Sequence, residues 1–128
     1  MLIWIAVGVG GALGSMLRHM VNHLVHERWL LTRFPAATAI INVAGCAVIG
    51  ILAGLLASER IALSVSWRAF VFVGVLGGFT TFSTFGLDTL LLAKTHSTGQ
   101  AAVNVAVQVI GGLLAVWVGY LLGAAKTS

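Results

Sequence analysis

Charged residues are scarce in this sequence: Asp, Glu, Lys and Arg make up 8% of its 128 residues, whereas hydrophobic residues make up 59%. A soluble domain carries about 25% charged residues, so this chain has too little polar surface to cover a water-soluble core. The mean hydropathy of +1.07 agrees with that exclusion. The composition predicts an integral membrane protein, with one membrane domain over residues 1–128.

Cysteines, carboxylates and clustered bases are also few. The one cysteine, Cys46, excludes an internal disulfide and lies among small residues, which indicates packing. Only three carboxylates are present, no nucleophile is paired with a base, and no phosphate loop appears, so nothing predicts an enzyme. The net charge of +4 forms no basic cluster, which favours contact with membrane lipid headgroups over nucleic acid.

Four apolar stretches reach the roughly 20 residues that a helix needs to cross the hydrocarbon. They cover about residues 2–25, 36–57, 67–93 and 100–124, with short polar connectors that predict an all-α bundle of antiparallel neighbours. The first stretch has no basic start and is longer than the core of a signal peptide, so we expect it to remain in the membrane.

Positive charge is shared evenly between the two sides of this four-span chain. Arg18, inside the first span, barely changes the balance, and the remaining residues are Arg60, Arg68 and Lys126 on one side and Arg28, Arg33 and Lys94 on the other. Because an excess of Lys and Arg in cytoplasmic loops sets orientation, two interpretations stay open. Copies insert both ways and pair antiparallel, or another signal resolves a weak bias.

Glycine is abundant, and most of the 16 glycines lie within the spans. Small residues four apart let helix backbones approach closely. Such pairs occur in every span, at Gly10/Gly14, Gly50/Gly54, Gly74/Gly78 and Gly119/Gly123. The pattern predicts tight helix contacts without indicating which spans meet.

Polar residues inside the spans are functional candidates, because burying them in lipid is unfavourable. Arg18 is either an anion attractor at the mouth of an aqueous cavity or a side chain that reaches the interface. Asp88 either ends a polar track or pairs with Arg18 or a hydroxyl. Asn104 and Gln108, one helical turn apart, favour interhelical hydrogen bonds over a lining role.

Three histidines, His19, His23 and His26, can share one helix face. No nearby cysteine or reliable carboxylate completes a zinc coordination set, so interfacial histidines are the favoured interpretation.

The segment GGFTTFSTF, residues 77–85, combines a glycine pair with hydroxyls and phenylalanines. Gly77 and Gly78 predict a break in the third helix near Gly77–Thr80, although an unbroken helix using glycine for packing is the alternative. A break leaves carbonyls that suit a cation and N–H groups that suit an anion. The positive ring edges of Phe82 and Phe85 can contact an anion without trapping it.

With Asn42 in TAIINVAG and Arg18 in GGALGSMLR, this segment resembles the Fluc (CrcB-type) fluoride channels, and the resemblance spans the whole chain. It implies a fluoride-selective channel of the bacterial inner membrane that exports cytoplasmic fluoride passively and so reduces its toxicity. It also implies a dual-topology homodimer with two antiparallel pores.

The same resemblance assigns roles to individual positions. Asp88 and Gly112 depart from it, standing where some members of the family have glutamate and serine. The implied pore and anion-binding residues are Phe82, Phe85, Asn42, Ser83, Thr84 and the vestibule residue Arg18, and backbone carbonyls of Gly77 and Thr80 are implied to hold a structural sodium ion (Na+) that is not transported.

Two other functions remain open at this stage. A small multidrug-resistance-type proton-coupled exporter also has four spans, but such exporters resemble one another in a first-helix glutamate, where this chain offers Arg18. A non-transporting membrane assembly subunit would show no ion flux when purified.

The even charge count makes a prediction about orientation. A reporter fused after Ser128 should be found on both sides of the membrane, because neither side carries the excess that sets direction. Adding two or three lysines to one side should force one orientation and lower activity. A single orientation of the unmodified chain would contradict the argument from charge.

Overall fold

The four predicted spans are helices in the computed structural model, which describes residues 1–28, 34–95 and 98–125. Each span is long and apolar enough to cross a membrane. The all-α, four-span prediction is therefore confirmed. The helices cover Leu2–Arg28, Ala36–Ala57, a third span made of residues 65–79 and Phe82–Lys94, and Thr98–Ala124.

Two of the six residues in the charge count, Arg33 and Lys126, lie outside the described residues, as does Ser128. The sequence of spans still fixes the relative directions of the helices. Since each span reverses the chain, the first and third spans run parallel to each other, and so do the second and fourth.

The first and third spans pack through glycines. A Cβ added at Gly10 would lie 2.5 Å from the carbonyl oxygen of Phe70, and one added at Gly14 would collide with the carbonyl of Val75. Gly74 faces the backbone of Gly10 in return. Backbone therefore lies directly on backbone along this pair.

The second and fourth spans repeat the arrangement. A Cβ at Gly119 would lie 2.5 Å from the carbonyl oxygen of Ala47, while Gly54 and Gly123 lie against the carbonyls of Tyr120 and Ile51. The four glycine pairs thus make two interfaces, between the first and third spans and between the second and fourth. The predicted tight contacts are confirmed, and their pairing is what the repeated motif could not indicate.

Two stretches are wound as π-helix, at Ala69–Leu76 in the third span and Val107–Gly111 in the fourth. At the end of the first stretch the Gly77 N–H bonds to the carbonyl of Phe72, five residues back. The wider turn shifts the faces of the residues that follow. π-helical turns are frequent at functional sites, and the second stretch contains the buried Gln108.

The third helix is broken, but not by its glycines. Gly77 has helical dihedrals (φ −64°, ψ −35°), whereas Thr80 and Thr81 are extended (φ −83°, ψ 158° and φ −153°, ψ 115°). Gly78 lies against the backbone of Gly11, so it serves close packing. The predicted break is confirmed, and its assignment to the glycine pair is wrong.

Threonine hydroxyls explain why the interruption falls where it does. The Thr80 hydroxyl donates to the carbonyl oxygen of Leu76 at 3.0 Å, and the Thr80 N–H bonds to the same oxygen at 3.0 Å. Thr81 begins the next helix as its N-cap, accepting from the Thr84 N–H at 3.3 Å. We call residues 65–79 the first half-helix and Phe82–Lys94 the second half-helix.

The glycine contacts predict a position-specific effect of alanine. Gly14→Ala should destabilise the protein by about 1–3 kcal/mol, since the added methyl group has to displace backbone of the third span. Gly8→Ala is the matched control on the same helix, because nothing lies within 4 Å of the added Cβ. Thermal unfolding in detergent measures both. Equal melting temperatures would contradict backbone packing at Gly14.

Candidate functional site

Asn42, on the second span, holds the interrupted backbone of the third. Its Oδ1 accepts from the Thr81 N–H at 2.9 Å, and its Nδ2 donates to the Thr81 carbonyl at 3.1 Å. The same Nδ2 donates to Oε1 of Gln108 at 2.6 Å. Both amide hydrogens of Asn42 are therefore used within the protein, and one side chain bonds to both backbone polar groups of Thr81.

The hydrogen bonds continue from Gln108 along the fourth span and back to the second half-helix. Gln108 Nε2 donates to Asn104 Oδ1 at 2.8 Å, and Asn104 Nδ2 donates to the Thr89 hydroxyl at 2.9 Å. That hydroxyl donates to the Phe85 carbonyl at 2.7 Å. We call this series, from Thr81 through Asn42, Gln108, Asn104 and Thr89 to Phe85, the amide relay.

The amide relay decides between the two interpretations of the polar residues on the fourth span. Asn104 is completely buried and Gln108 is 8% exposed. Both bond to other helices, so the predicted role in interhelical hydrogen bonding is confirmed. Gln108 also lines the cavity described below, and the two roles coexist.

Hydroxyls surround the start of the second half-helix. The Thr81 hydroxyl lies 3.2 Å from the Ser83 hydroxyl and 3.1 Å from the Thr84 hydroxyl. The first N–H groups of a helix carry partial positive charge and lack helical partners. Ser83 and Thr84 are exposed, and this turn therefore offers donors without a formal charge.

Phe82 and Phe85 stand on this turn as an adjoining pair. Their ring centroids are 5.4 Å apart and their planes are inclined by 53°. Phe85 is 9% exposed, whereas Phe82 is 81% exposed. One ring is fixed by packing within the chain, and the other is presented outward.

A cavity of about 370 Å³ lies beside the break. No Asp, Glu, Lys or Arg is among its lining residues, so a guest ion would meet only groups without a formal charge. The lining residues are Asn42, Gly45, Cys46, Ile49, Phe72, Leu76, Gly77, Thr80, Thr81, Phe82, Phe85, Gln108 and Val109.

The break releases backbone carbonyls, and those of Gly77 and Thr80 are among them. In a continuous helix the carbonyls of Gly77 and Thr80 would accept from the N–H groups of Thr81 and Thr84. The Thr81 N–H bonds to Asn42 Oδ1 instead, and the Thr84 N–H bonds to the Thr81 hydroxyl. Both oxygens are thus free of their helical donors.

Asp88 pairs with a hydroxyl. Its Oδ2 accepts from the Thr38 hydroxyl at 2.7 Å, which ties the second span to the second half-helix. Of the partners predicted for Asp88, the hydroxyl is the one found.

Arg18 lies apart from the cavity. It is half-buried on the first span and is not among the lining residues. Across residues 1–28, 34–95 and 98–125 no ion pair or side-chain hydrogen bond of Arg18 is present. The three histidines line a separate cavity of about 340 Å³ at the end of the first span, where His23 Nε2 lies 3.3 Å from Glu27.

Thr81 and Thr89 belong to the site without having been predicted from the sequence. Thr81 was one of several hydroxyls in the motif, and its role as a backbone partner of Asn42 depends on a contact between distant spans. Thr89 follows Phe85 by four residues, a spacing that permits the observed hydroxyl-to-carbonyl bond, but nothing local indicates that Asn104 bonds to it.

Comparison with known proteins assigns the chain to a family. The profile described as "CrcB-like protein, Camphor Resistance (CrcB)" matches residues 5–120, which is most of the chain.

Three relatives match over nearly their whole lengths, and each bears the name "Fluoride-specific ion channel FluC". The protein of Methylobacillus flagellatus is 44% identical over 116 residues, covering 91% of this chain and 90% of the relative. That of Paramagnetospirillum magneticum is 43% identical over 122 residues, covering 94% of each. That of Opitutus terrae is 40% identical over 129 residues, covering 100% of this chain and 97% of the relative.

Proposed function

The chain belongs to the CrcB-like protein family, and we propose that it is a fluoride-selective channel, not an enzyme, of the bacterial inner membrane. It lets cytoplasmic fluoride leave passively and so reduces fluoride toxicity. The observation that carries the proposal is the turn at Phe82–Phe85 at the start of a helix: both phenylalanines line a cavity without a charged lining residue, together with Thr80 and Thr81.

Fluoride is small and strongly hydrated, so a pore has to replace its water with donors. The Ser83 and Thr84 hydroxyls and the first N–H groups of the second half-helix are such donors. Gln108 adds another, because one of its two N–H groups has no protein acceptor within the described parts of the chain. The ring edges of Phe82 and Phe85 contribute weak positive potential.

Weak individual contacts suit permeation. An ion has to bind well enough to enter and weakly enough to leave, and a guanidinium or ammonium group in the cavity would hold fluoride too tightly. Arg18, away from the cavity, acts at longer range by raising the anion concentration in the vestibule.

Asn42 acts mainly on the backbone in this proposal. Since both of its amide hydrogens are used, at Thr81 and Gln108, it presents the break to the ion. For Asn42 to contact fluoride directly, one of these two hydrogen bonds has to be replaced by a bond to the ion. Asn42 therefore both lines the pore and maintains the shape of the pore.

A second copy, inserted the opposite way, completes the pore. Phe82 is 81% exposed and lies on a polar turn that lipid would not solvate. An antiparallel partner covers such a turn without exposing hydroxyls to hydrocarbon. The dual-topology homodimer then contains two antiparallel pores, and its outer surface contacts membrane lipid.

The carbonyls of Gly77 and Thr80 fit a structural sodium ion. Hard cations prefer oxygen ligands, and these oxygens are free of their helical donors. If two antiparallel copies bring both sets together, four carbonyl dipoles converge without a carboxylate, which suits a monovalent ion. The bound ion screens the mutual repulsion of these dipoles.

The exporter alternative is less well supported. Proton-coupled export needs a carboxylate that titrates where substrate binds, and the intramembrane carboxylate available, Asp88, bonds to Thr38 and does not line the cavity. Fluoride efflux from proteoliposomes that is equal with and without a proton gradient excludes the exporter, and any efflux excludes a non-transporting subunit.

The role of the rings is tested by isoleucine. Phe82→Ile and Phe85→Ile keep an apolar side chain but remove the positive ring edge, so fluoride efflux should fall by roughly tenfold or more, the equivalent of about 1.4 kcal/mol. Efflux is measured with a fluoride electrode. Phe70→Ile is the matched control, because Phe70 packs on Trp67 outside the cavity. Normal efflux in both pore variants would make the rings packing residues.

Sodium removal tests the cation site. A cation bound only by the folded dimer stabilises it by mass action, so exhaustive exchange into sodium-free buffer should weaken the dimer or abolish transport. Lithium and potassium should substitute imperfectly because the cage size is fixed, and sodium should not cross with fluoride. Size-exclusion chromatography and efflux measure the two effects. Full stability and activity without sodium would contradict the proposal.

A further inference from the structure

The amide relay starts immediately before the phenylalanine pair and ends at the backbone of its second member. It starts at the backbone of Thr81, immediately before the second half-helix, and it ends at the carbonyl of Phe85 within the first turns of that helix. The intervening bonds run through side chains of the second and fourth spans. The turn that carries Phe82 is therefore held from both ends by groups on other helices.

Both ends of the relay have a fixed polarity. The Thr81 N–H can only donate, and the Phe85 carbonyl can only accept. Since the Thr89 hydroxyl donates its one hydrogen to Phe85, it has to accept from Asn104, and Asn104 must then turn its oxygen toward Gln108.

The same logic continues to the break. Gln108 donates to Asn104 and accepts from Asn42, so Asn42 presents its oxygen to the Thr81 N–H. Each carboxamide has one orientation that satisfies its neighbours. A change at one end of such a chain is felt at the other, because every amide would have to turn or lose a bond.

Asn104 is the residue that links the two parts of the amide relay. It is completely buried, accepts from Gln108 and donates to Thr89, and so connects the amides that hold the break with the helix that carries both rings. It is not among the residues that line the cavity. Its influence on an ion has to pass through other residues.

We propose that Asn104 is a positioning residue for anion permeation: through Gln108 and Asn42 on one side and Thr89 on the other, it sets the geometry of the Thr81–Phe85 turn. The proposal rests on the proposed fluoride channel. The proposal predicts that Asn104 affects anion selectivity. A residue that only holds helices together would affect the stability of the protein alone.

The two threonines of the second half-helix allow a matched test. Thr89 and Thr95 each donate a hydroxyl hydrogen at 2.7 Å to the carbonyl four residues back, but Asn104 bonds to Thr89. Thr89→Val breaks the relay, Thr89→Ser keeps its hydroxyl, and Thr95→Val removes the same local bond outside the relay. Asn104→Leu removes both hydrogen bonds of the central amide directly.

We expect Thr89→Val and Asn104→Leu each to lower fluoride efflux about tenfold, the effect of leaving one buried amide group unpaired. The ratio of fluoride to chloride permeability should fall as well. The double variant should be no worse than either single one, since one connection is lost in all three. Thr89→Ser and Thr95→Val should remain near the unchanged protein.

A second readout does not depend on transport. Hydrogen–deuterium exchange at the Thr81 amide, which donates to Asn42, should be faster in Thr89→Val and unchanged in Thr95→Val. If Asn104→Leu fails to fold, the three threonine variants still decide the question.

The outcomes separate the relay from the channel. A Thr89→Val protein with unchanged selectivity and unchanged Thr81 exchange overturns the proposal, even if its melting temperature falls. Additive losses in the double variant overturn it too, because they place the residues in independent roles. Absence of fluoride efflux from the unchanged protein refutes the channel itself, while the exchange measurement still tests the coupling.

Discussion

A broken helix within a membrane leaves backbone groups without partners, and no water is present to replace them. Each unsatisfied group costs several kcal/mol in hydrocarbon. Here the carboxamide of Asn42 serves both polar groups of Thr81. The other features of the site, including the cavity, the capped half-helix and the exposed turn of hydroxyls, depend on this pair of bonds, because without them a continuous helix would be favoured.

Glycine packing forms two pairs of spans, and hydrogen bonds occur both inside one pair, from Asn42 to Gln108, and between the two pairs. Glycines join the first span to the third and the second to the fourth, backbone against backbone. The bonds from Thr38 to Asp88, from Asn42 to Thr81 and from Asn104 to Thr89 cross between these two pairs. Dispersion forces build each pair, and directional bonds then fix the register of one pair on the other. This arrangement explains why so many intramembrane polar residues are tolerated in a chain of this size.

Much of the fold followed from the sequence, because hydropathy over about 20 residues reports directly on membrane spans. The break was also expected, but it was attributed to Gly77 and Gly78, which remain helical while Thr80 and Thr81 are extended. Glycine weakens a helix anywhere, whereas an extended pair persists only where hydroxyls and a distant amide satisfy it. The latter depends on tertiary contacts that no local pattern contains.

The residues of the site were also predicted only in part. Phe82, Phe85 and Asn42 were identified, and the structure brings them to one cavity. Arg18 lies away from that cavity, and its predicted role at a vestibule stays a prediction. The π-helical turn that contains Gln108 has no signature in the residues around it, and neither does the bond between Asn104 and Thr89.

The pairing of alternate spans has a consequence for biogenesis. During synthesis the spans enter the bilayer one after another. The third span packs through glycines on the first and not on the second, and the fourth packs on the second and not on the third. Neither glycine interface can form until the third span is inserted, and Asn42 lacks one of its partners until the fourth has arrived. A chain that lacks its last two spans therefore carries an unpaired carboxamide in lipid, the kind of defect that membrane quality control can recognise. The second–fourth interface and the bond from Asn42 to Gln108 form only when the last helix is inserted.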